Sequence, residues 1–164
     1  MSDETDVTTR PIEPRDAGEV MTLQRAAFVQ EALIYGSPEM PPLTQTLDEV
    51  ESELRENIGV VALDGTRMIG ALRARVDGDL LLVGRIAIAP DRAGEGIGSA
   101  LLEAVERRGA EAGATEAELF TGSLSEANLR LYERLGYRET QRVPGDDGTA
   151  QVFLRKRLDV GAPE

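Results

Sequence analysis

The sequence predicts an α/β fold: a mixed, mostly antiparallel sheet of about seven strands flanked by about four helices. Asp64-Gly65 and Asp77-Gly78 separate apolar runs at hairpin spacing in the middle of the chain. The apolar run Leu80 to Ala89 is followed by a glycine-rich turn and by Ile97, Leu101, Val105 and Ala112 at helical spacing. Near the end, Gly145-Asp146-Asp147-Gly148 separates two more extended runs.

Each element follows from local pattern. Val7 to Glu13 reads as a first strand. Asp16 and Glu19 form a capping pair, and Val20, Leu23 and Ala27 place helix one over about Ala17 to Gln30. The stretch Tyr35 to Pro42 holds Pro38, Pro41 and Pro42, which forbid continuous helix and strand ladder alike. Thr46 with Glu49 is a second capping box, and Leu47, Val50 and Leu54 give helix two an apolar stripe. Ile58 to Leu63 and Met68 to Val76 are strands, the second with Arg73 and Arg75 on one face and Leu72, Ala74 and Val76 on the other. Leu80 to Ala89 is nearly all apolar and is expected to be buried on both faces.

A long helix then ends near Gly113, and Ala117 to Thr121 is a short strand. That strand–helix–strand path implies a parallel, right-handed crossover. Ser125 is expected to cap a helix in which Leu131 and Leu135 share a face and Gly136 is the C′ residue. Tyr137 to Val143 and Thr149 to Leu158 form the last hairpin. Residues 7–158 are expected to make a single domain, with residues 1–6 and 159–164 as flexible ends.

Composition narrows the chemistry. The 164 residues include no cysteine and no histidine. That removes disulfides, thiolate nucleophiles, imidazole bases and the usual zinc sites, and no metal is expected. The net charge of −12 and the absence of tryptophan argue against a nucleic-acid partner. The acidic balance tilts towards cationic partners. The acidic start MSDETDVTT lacks the marks of a signal peptide, and Leu80 to Pro90 is too short to span a bilayer and carries Arg85. A cytoplasmic enzyme or binding module is expected, with no membrane contact.

Gly94-Glu95-Gly96-Ile97-Gly98-Ser99 opens a helix directly after a strand. Its first N–H groups lack intrahelical partners, and glycines let the backbone approach a phosphate closely. A Walker A loop is excluded because no lysine is near. The dinucleotide fingerprint is excluded because Ser99 and Leu101 stand where its third glycine belongs.

The chain resembles the GNAT superfamily of acyl-CoA N-acyltransferases over Val7 to Leu158. Two segments carry the resemblance: Ile86-Ala87-Ile88-Ala89-Pro90-Asp91-Arg92-Ala93-Gly94-Glu95-Gly96-Ile97-Gly98-Ser99-Ala100-Leu101-Leu102, and Ser125-Glu126-Ala127-Asn128-Leu129-Arg130-Leu131-Tyr132-Glu133-Arg134-Leu135-Gly136-Tyr137. It implies acetyl-CoA as co-substrate, with its pyrophosphate on the amides of Gly94, Glu95, Gly96, Ile97, Gly98 and Ser99. It also implies that Ile86, Ala87 and Ile88 pair with the pantetheine amides, and that Asn128 and Tyr132 lie beside the thioester. Ala93 departs from the family pattern, which usually has Arg or Gln there; Arg92 is adjacent. The strand Leu80 to Pro90 also lacks the carboxylate base of many members. Glu118, two residues before the position where others place one, is the remaining strand candidate.

The resemblance implies an N-acetyltransferase working by direct attack in a ternary complex, with Tyr132 as acid; the base is left open between Glu118, by its strand position, and a water chain to another carboxylate. The acceptor is expected to be an amine, first of a small molecule and second a protein N-terminus or lysine. Glu31, Tyr35 and Glu39 lie in the region that covers the acceptor in relatives. A catalytically silent CoA-binding module is the rival reading. The terminal strands offer an edge at which a homodimer could form.

Overall fold

The computed structural model describes residues 7–37 and 39–158. The expected flexible ends therefore lie outside the described residues. The elements are β1 (Val7–Pro11), α1 (Ala17–Ala27), α2 (Val29–Tyr35), α3 (Pro41–Thr44), α4 (Leu47–Glu56), β2 (Ile58–Asp64), β3 (Arg67–Asp77), β4 (Leu80–Ile88), α5 (Ile97–Glu111), β5 (Glu116–Gly122), α6 (Glu126–Arg134), β6 (Arg138–Pro144) and β7 (Ala150–Arg157). The seven strands run in the order β1-β2-β3-β4-β5-β7-β6. β4 and β5 are parallel, as the crossover predicts, whereas the β1–β2, β2–β3, β5–β7 and β6–β7 pairs are antiparallel. The residues group into two compact units, one of residues up to Ala74 with Arg85–Val105, the other of Arg75–Gly84 with residues from Glu106 onward.

In the first unit, β2 and β3 meet at Asp64-Gly65, with Gly65 at φ 64°. The two faces of β3 are covered differently. An added Cβ on Gly70 would stand 2.8 Å from Ile97 Cγ2 and 3.0 Å from Leu101 Cδ1, so only glycine lets the first turns of α5 sit this close to the strand. The Arg73 face lies against α1 and α4, through Gln24 and Glu53. Arg73 is therefore buried, not the exposed member of an alternating strand. Val20 and Leu23 of α1, Val50 and Leu54 of α4, and Val60, Val61, Ile69 and Leu72 of the strands are buried. Leu47, expected in the α4 stripe, is exposed.

Local details correct the sequence reading. The Thr46–Glu49 capping box forms in both directions. Asp16 does not cap α1; its carboxylate accepts from the Glu13 N–H at 2.8 Å and from both terminal nitrogens of Arg10 at 2.9 Å. A closer charged partner outcompetes the helix amides. Helix one also runs further than Gln30. A kink at Phe28 (φ −93°, ψ 5°) divides it into α1 and α2, and Gly36 at φ 62° ends it. The proline-rich stretch contains the short helix α3, because Pro41 and Pro42 fill its first turn, where a missing N–H costs no helical bond.

β4 is not buried on both faces. Leu81, Val83 and Ala87 are buried, whereas Leu82, Ile86 and Ile88 are half-exposed. In the second unit β7 pairs along the whole of β5 and leaves β6 as an exposed edge. Ser125 precedes α6 but makes no side-chain cap bond. Leu131 and Leu135 are half-buried, and Tyr132 is the buried residue of α6. Gly136, at φ 101°, ends that helix as expected.

Candidate active site

The turn between β4 and α5 leaves its backbone open on one side. Gly94 and Gly96 take φ 83° and 84°, and nothing lies within 4 Å of a Cβ added at either. Gly94, Glu95 and Gly96 are exposed, and Ile97 is buried beneath them. The Ala100 N–H donates to Gly96 O at 3.1 Å, which fixes the first turn of α5. The N–H groups just before it have no carbonyl one turn back and add to the positive end of the helix dipole. Glycine at the two left-handed positions curls the turn without strain.

Arg92 is not a spare cation beside this turn. Its Nε donates to Glu95 at 2.8 Å and its Nη1 to Asp64 at 2.9 Å. Those bonds, Glu95 first, raise its pKa. They also draw the Glu95 carboxylate onto a cation in the turn that bears the amides. Arg67 holds Asp91 in the same way, through two bonds of 3.0 and 2.7 Å.

Upstream, Arg85 takes φ 53°, a left-handed conformation that a long side chain seldom adopts. The parallel ladder to β5 runs over Leu80, Leu81 and Leu82. The Ala89 N–H donates to Ile69 O of β3 at 2.9 Å. Because backbone groups alternate along an extended chain, the Ile88 N–H points away from β3.

In the second unit, Asn128 and Tyr132 stand one turn apart on α6. Asn128 Nδ2 donates to Thr121 Oγ1 of β5 at 3.3 Å. Tyr132 is 6% exposed and meets the Tyr137 ring edge-on. Tyr137 donates its hydroxyl to Glu106 at 2.7 Å, and Lys156 holds the other oxygen of that carboxylate at 2.9 Å. Burial, then the neighbouring Glu106 charge, pushes the Tyr137 hydroxyl well above the usual phenol range. Glu118 of β5 accepts from Arg155 Nε at 3.0 Å, and the same guanidinium reaches Glu116 at 3.2 Å. On α2, Glu31 and Tyr35 lie one turn apart and half-buried, and Glu39 is exposed.

One polar cluster in the first unit escaped the sequence reading. Arg73 Nη2 donates to Gln24 Oε1 at 2.7 Å and lies 3.4 Å from Glu53. Gln24 Nε2 donates to Gln45 Oε1 at 2.9 Å, and Gln45 Nε2 to Glu53 at 2.6 Å. Arg73 Nε and Nη1 and Arg85 Nε are buried without a hydrogen-bond partner. Burial pulls the Arg73 guanidinium down to about 10, with the Glu53 carboxylate opposing the fall and the Arg85 charge adding to it. The signal was present in the sequence: Arg85 is the one charge in the run Leu80 to Ala89.

A glycine turn of this kind, opening a helix directly after a strand, is the arrangement that the GNAT resemblance implies. The profile of the acetyltransferase (GNAT) family matches residues 20–137, and the chain belongs to that family. No curated protein matches the chain in sequence. Its fold is similar to that of the ribosomal-protein-S18-alanine N-acetyltransferase from Escherichia coli, at 18% identity and TM-score 0.71, covering 96% of this chain and 97% of that one. The PaiA N-acetyltransferase from Thermoplasma acidophilum, solved in complex with coenzyme A, gives 15% identity, TM-score 0.76 and coverage of 96% and 99%. The yncA protein from Salmonella typhimurium, solved with its cofactor acetyl-CoA, gives 17%, 0.74, and 96% of each chain. Among the described residues no helix is long and apolar enough to cross a membrane.

Proposed function

We propose that the protein transfers an acetyl group from acetyl-CoA to a primary amine of a small molecule, by direct attack in a ternary complex. The observation that carries this reading is the open pair of left-handed glycines at the head of α5, within a GNAT family match. The amides of Gly94, Glu95, Gly96, Ile97, Gly98 and Ser99 would hold the pyrophosphate. Ile86, Ala87 and Ile88 would present strand amides to the pantetheine, as to an added strand. The outward Ile88 N–H is suited to polarise the thioester carbonyl.

Acetyl-CoA supplies the thioester, and the chain supplies orientation and protons. The amine nitrogen forms a bond to the acetyl carbon as the carbon–sulfur bond breaks. Tyr132 is assigned to protonate the departing sulfur, with Asn128 beside it, and Glu118 to take the proton from the amine. With no cysteine or histidine in the chain, direct transfer is favoured over an acetyl-enzyme.

One observation favours a second reading, a silent CoA-binding module: Glu118 is engaged by Arg155. Thiol release from acetyl-CoA against a panel of primary amines and N-terminal peptides separates the two. Amine-dependent release with small amines is the expected result. CoA binding with no release against any acceptor leaves the silent module.

A further inference from the structure

The two faces of the β5–β7 ladder are covered differently. Side chains alternate along a strand, so Ala117, Leu119 and Thr121 of β5 share one face with their partners Lys156, Leu154 and Val152 of β7. All but Lys156 are buried, and the helices of this unit lie on that side: Lys156 bonds Glu106 of α5, and Thr121 bonds Asn128 of α6. The other face carries Glu116, Glu118 and Phe120, opposite Arg157, Arg155 and Phe153. These residues are half-exposed or exposed, and Phe120 is 54% exposed. Its ring meets that of Phe153 at a tilt of 39°, with centroids 5.3 Å apart. Two aromatic rings paired in solvent give the fold little of the stabilisation that burying them would bring.

We propose that Phe120 and Phe153 are the platform for the body of the acceptor, so that the acceptor is an arylalkylamine, a primary amine joined to an aromatic ring by a short carbon chain. This rests on the acetyl-transfer reading, with Glu118 as the group that meets the amine. Polarity changes sharply along the open face. Arg155 holds Glu118 through Nε at 3.0 Å and reaches Glu116 through Nη1 at 3.2 Å, which gathers the charges at one end. The ring of Phe120 follows two residues later, about 7 Å along the strand. An ammonium group at Glu118 therefore lays a ring on Phe120 and Phe153 when a short chain joins the two. Gly122, the next residue of β5 on this face, adds no side chain beyond them. Tilted and edge-on ring contacts favour an aromatic body over a purely aliphatic one. Size favours a small molecule over a second copy of the chain: two aromatic side chains bury about 150–250 Å² each, and a stable dimer buries roughly 800 Å² per partner.

The test separates the platform from the transfer reading. Phenethylamine is compared with ethylamine, which has the same amine and no ring. Thiol release from acetyl-CoA is one readout, and calorimetric binding of phenethylamine to the CoA-loaded protein is the other. The expected result is a kcat/KM at least about 10²-fold higher for phenethylamine, carried mainly by KM. Phe120→Thr puts a strand-forming residue at an exposed position, so it should fold with a Tm close to that of the parent and lose most of the preference. Phe153→Thr should lose it too, with circular dichroism verifying the fold of both variants. Turnover irrespective of the ring, or a preference that survives both substitutions, overturns the platform and leaves acetyl transfer standing. Phenethylamine binding that Phe120→Thr abolishes, without thiol release, keeps the platform and overturns the transfer reading. Absence of both binding and preference overturns the platform. So does a dimer, seen by sedimentation, that Phe120→Thr splits into monomers, because the rings then belong to a second copy.

Discussion

Tyr132 and Tyr137 meet edge to face, their ring centroids 6.2 Å apart and their planes at 62°. The two phenols are nevertheless assigned different work. The Tyr137 hydroxyl is committed to Glu106, a carboxylate also held by Lys156. Tyr132→Phe keeps the ring contact and removes the proton donor. It should lower kcat by about 10²–10⁴-fold with KM for acetyl-CoA little changed. Tyr137→Phe should do the opposite, sparing kcat and costing about 1–3 kcal/mol of stability as the carboxylate loses a partner. Steady-state kinetics and denaturant unfolding on both variants check the split. A loss of stability with intact kcat in Tyr132→Phe would assign that ring to packing alone.

The glycine turn gives a second prediction. Gly96 is at φ 84° with open space in the direction of a Cβ. Gly96→Asp therefore puts a carboxylate where the helix amides converge and strains the backbone at the same point. CoA affinity should fall by at least about 10²-fold, read by calorimetry on protein whose folding is verified by circular dichroism. Unchanged affinity would remove the pyrophosphate from this turn.

Asp16 carries a pH-dependent part of the stability. Burial alone would raise its pKa, but the Arg10 guanidinium and the Glu13 N–H outweigh burial and lower it below the ordinary carboxylate value. A lowered folded pKa means stabilisation that is present above the unfolded pKa of about 3.9 and lost as pH falls through the folded value. Asp16→Asn should thus cost about 1–3 kcal/mol at neutral pH. Urea unfolding between pH 7 and pH 2 should show the gap to the parent protein closing on the acid side. A gap independent of pH would mean that the loss is one of packing.

Much of this architecture was legible because local chemistry and global fold agree. Asp64-Gly65, Thr46 with Glu49, and Gly136 each impose one local geometry, and each appears where the pattern placed it. The glycines after β4 marked the head of α5 for the same reason. What escaped depended on neighbours distant in sequence. Arg73 alternates with apolar residues as an exposed strand residue does, and only Gln24, forty-nine positions earlier, shows that its face is covered. Asp16 has the spacing of a cap, but Arg10 offers a charged partner that helix amides cannot match. β4 is apolar apart from Arg85, yet apolarity does not tell a second buried face from a half-exposed one.

Proton removal from the amine falls to a group outside β4. β4 holds no carboxylate, so Glu118 on β5 is the proposed proton acceptor. Its Oε2 is engaged by Arg155 at 3.0 Å, which leaves the other oxygen to take a proton. Glu118→Gln keeps the shape and removes the basic oxygen. As the base, it should lose about 10²-fold or more in kcat/KM, and the acidic limb of the pH–rate profile should vanish. Two acceptor amines of different pKa discriminate further. A limb belonging to Glu118 stays fixed between them, whereas one that follows each amine reports the acceptor's own titration. The chain holds no histidine, so a limb near neutrality comes from a carboxylate or from the acceptor. A profile in Glu118→Gln that matches the parent with both amines would exclude this residue and leave proton removal to water.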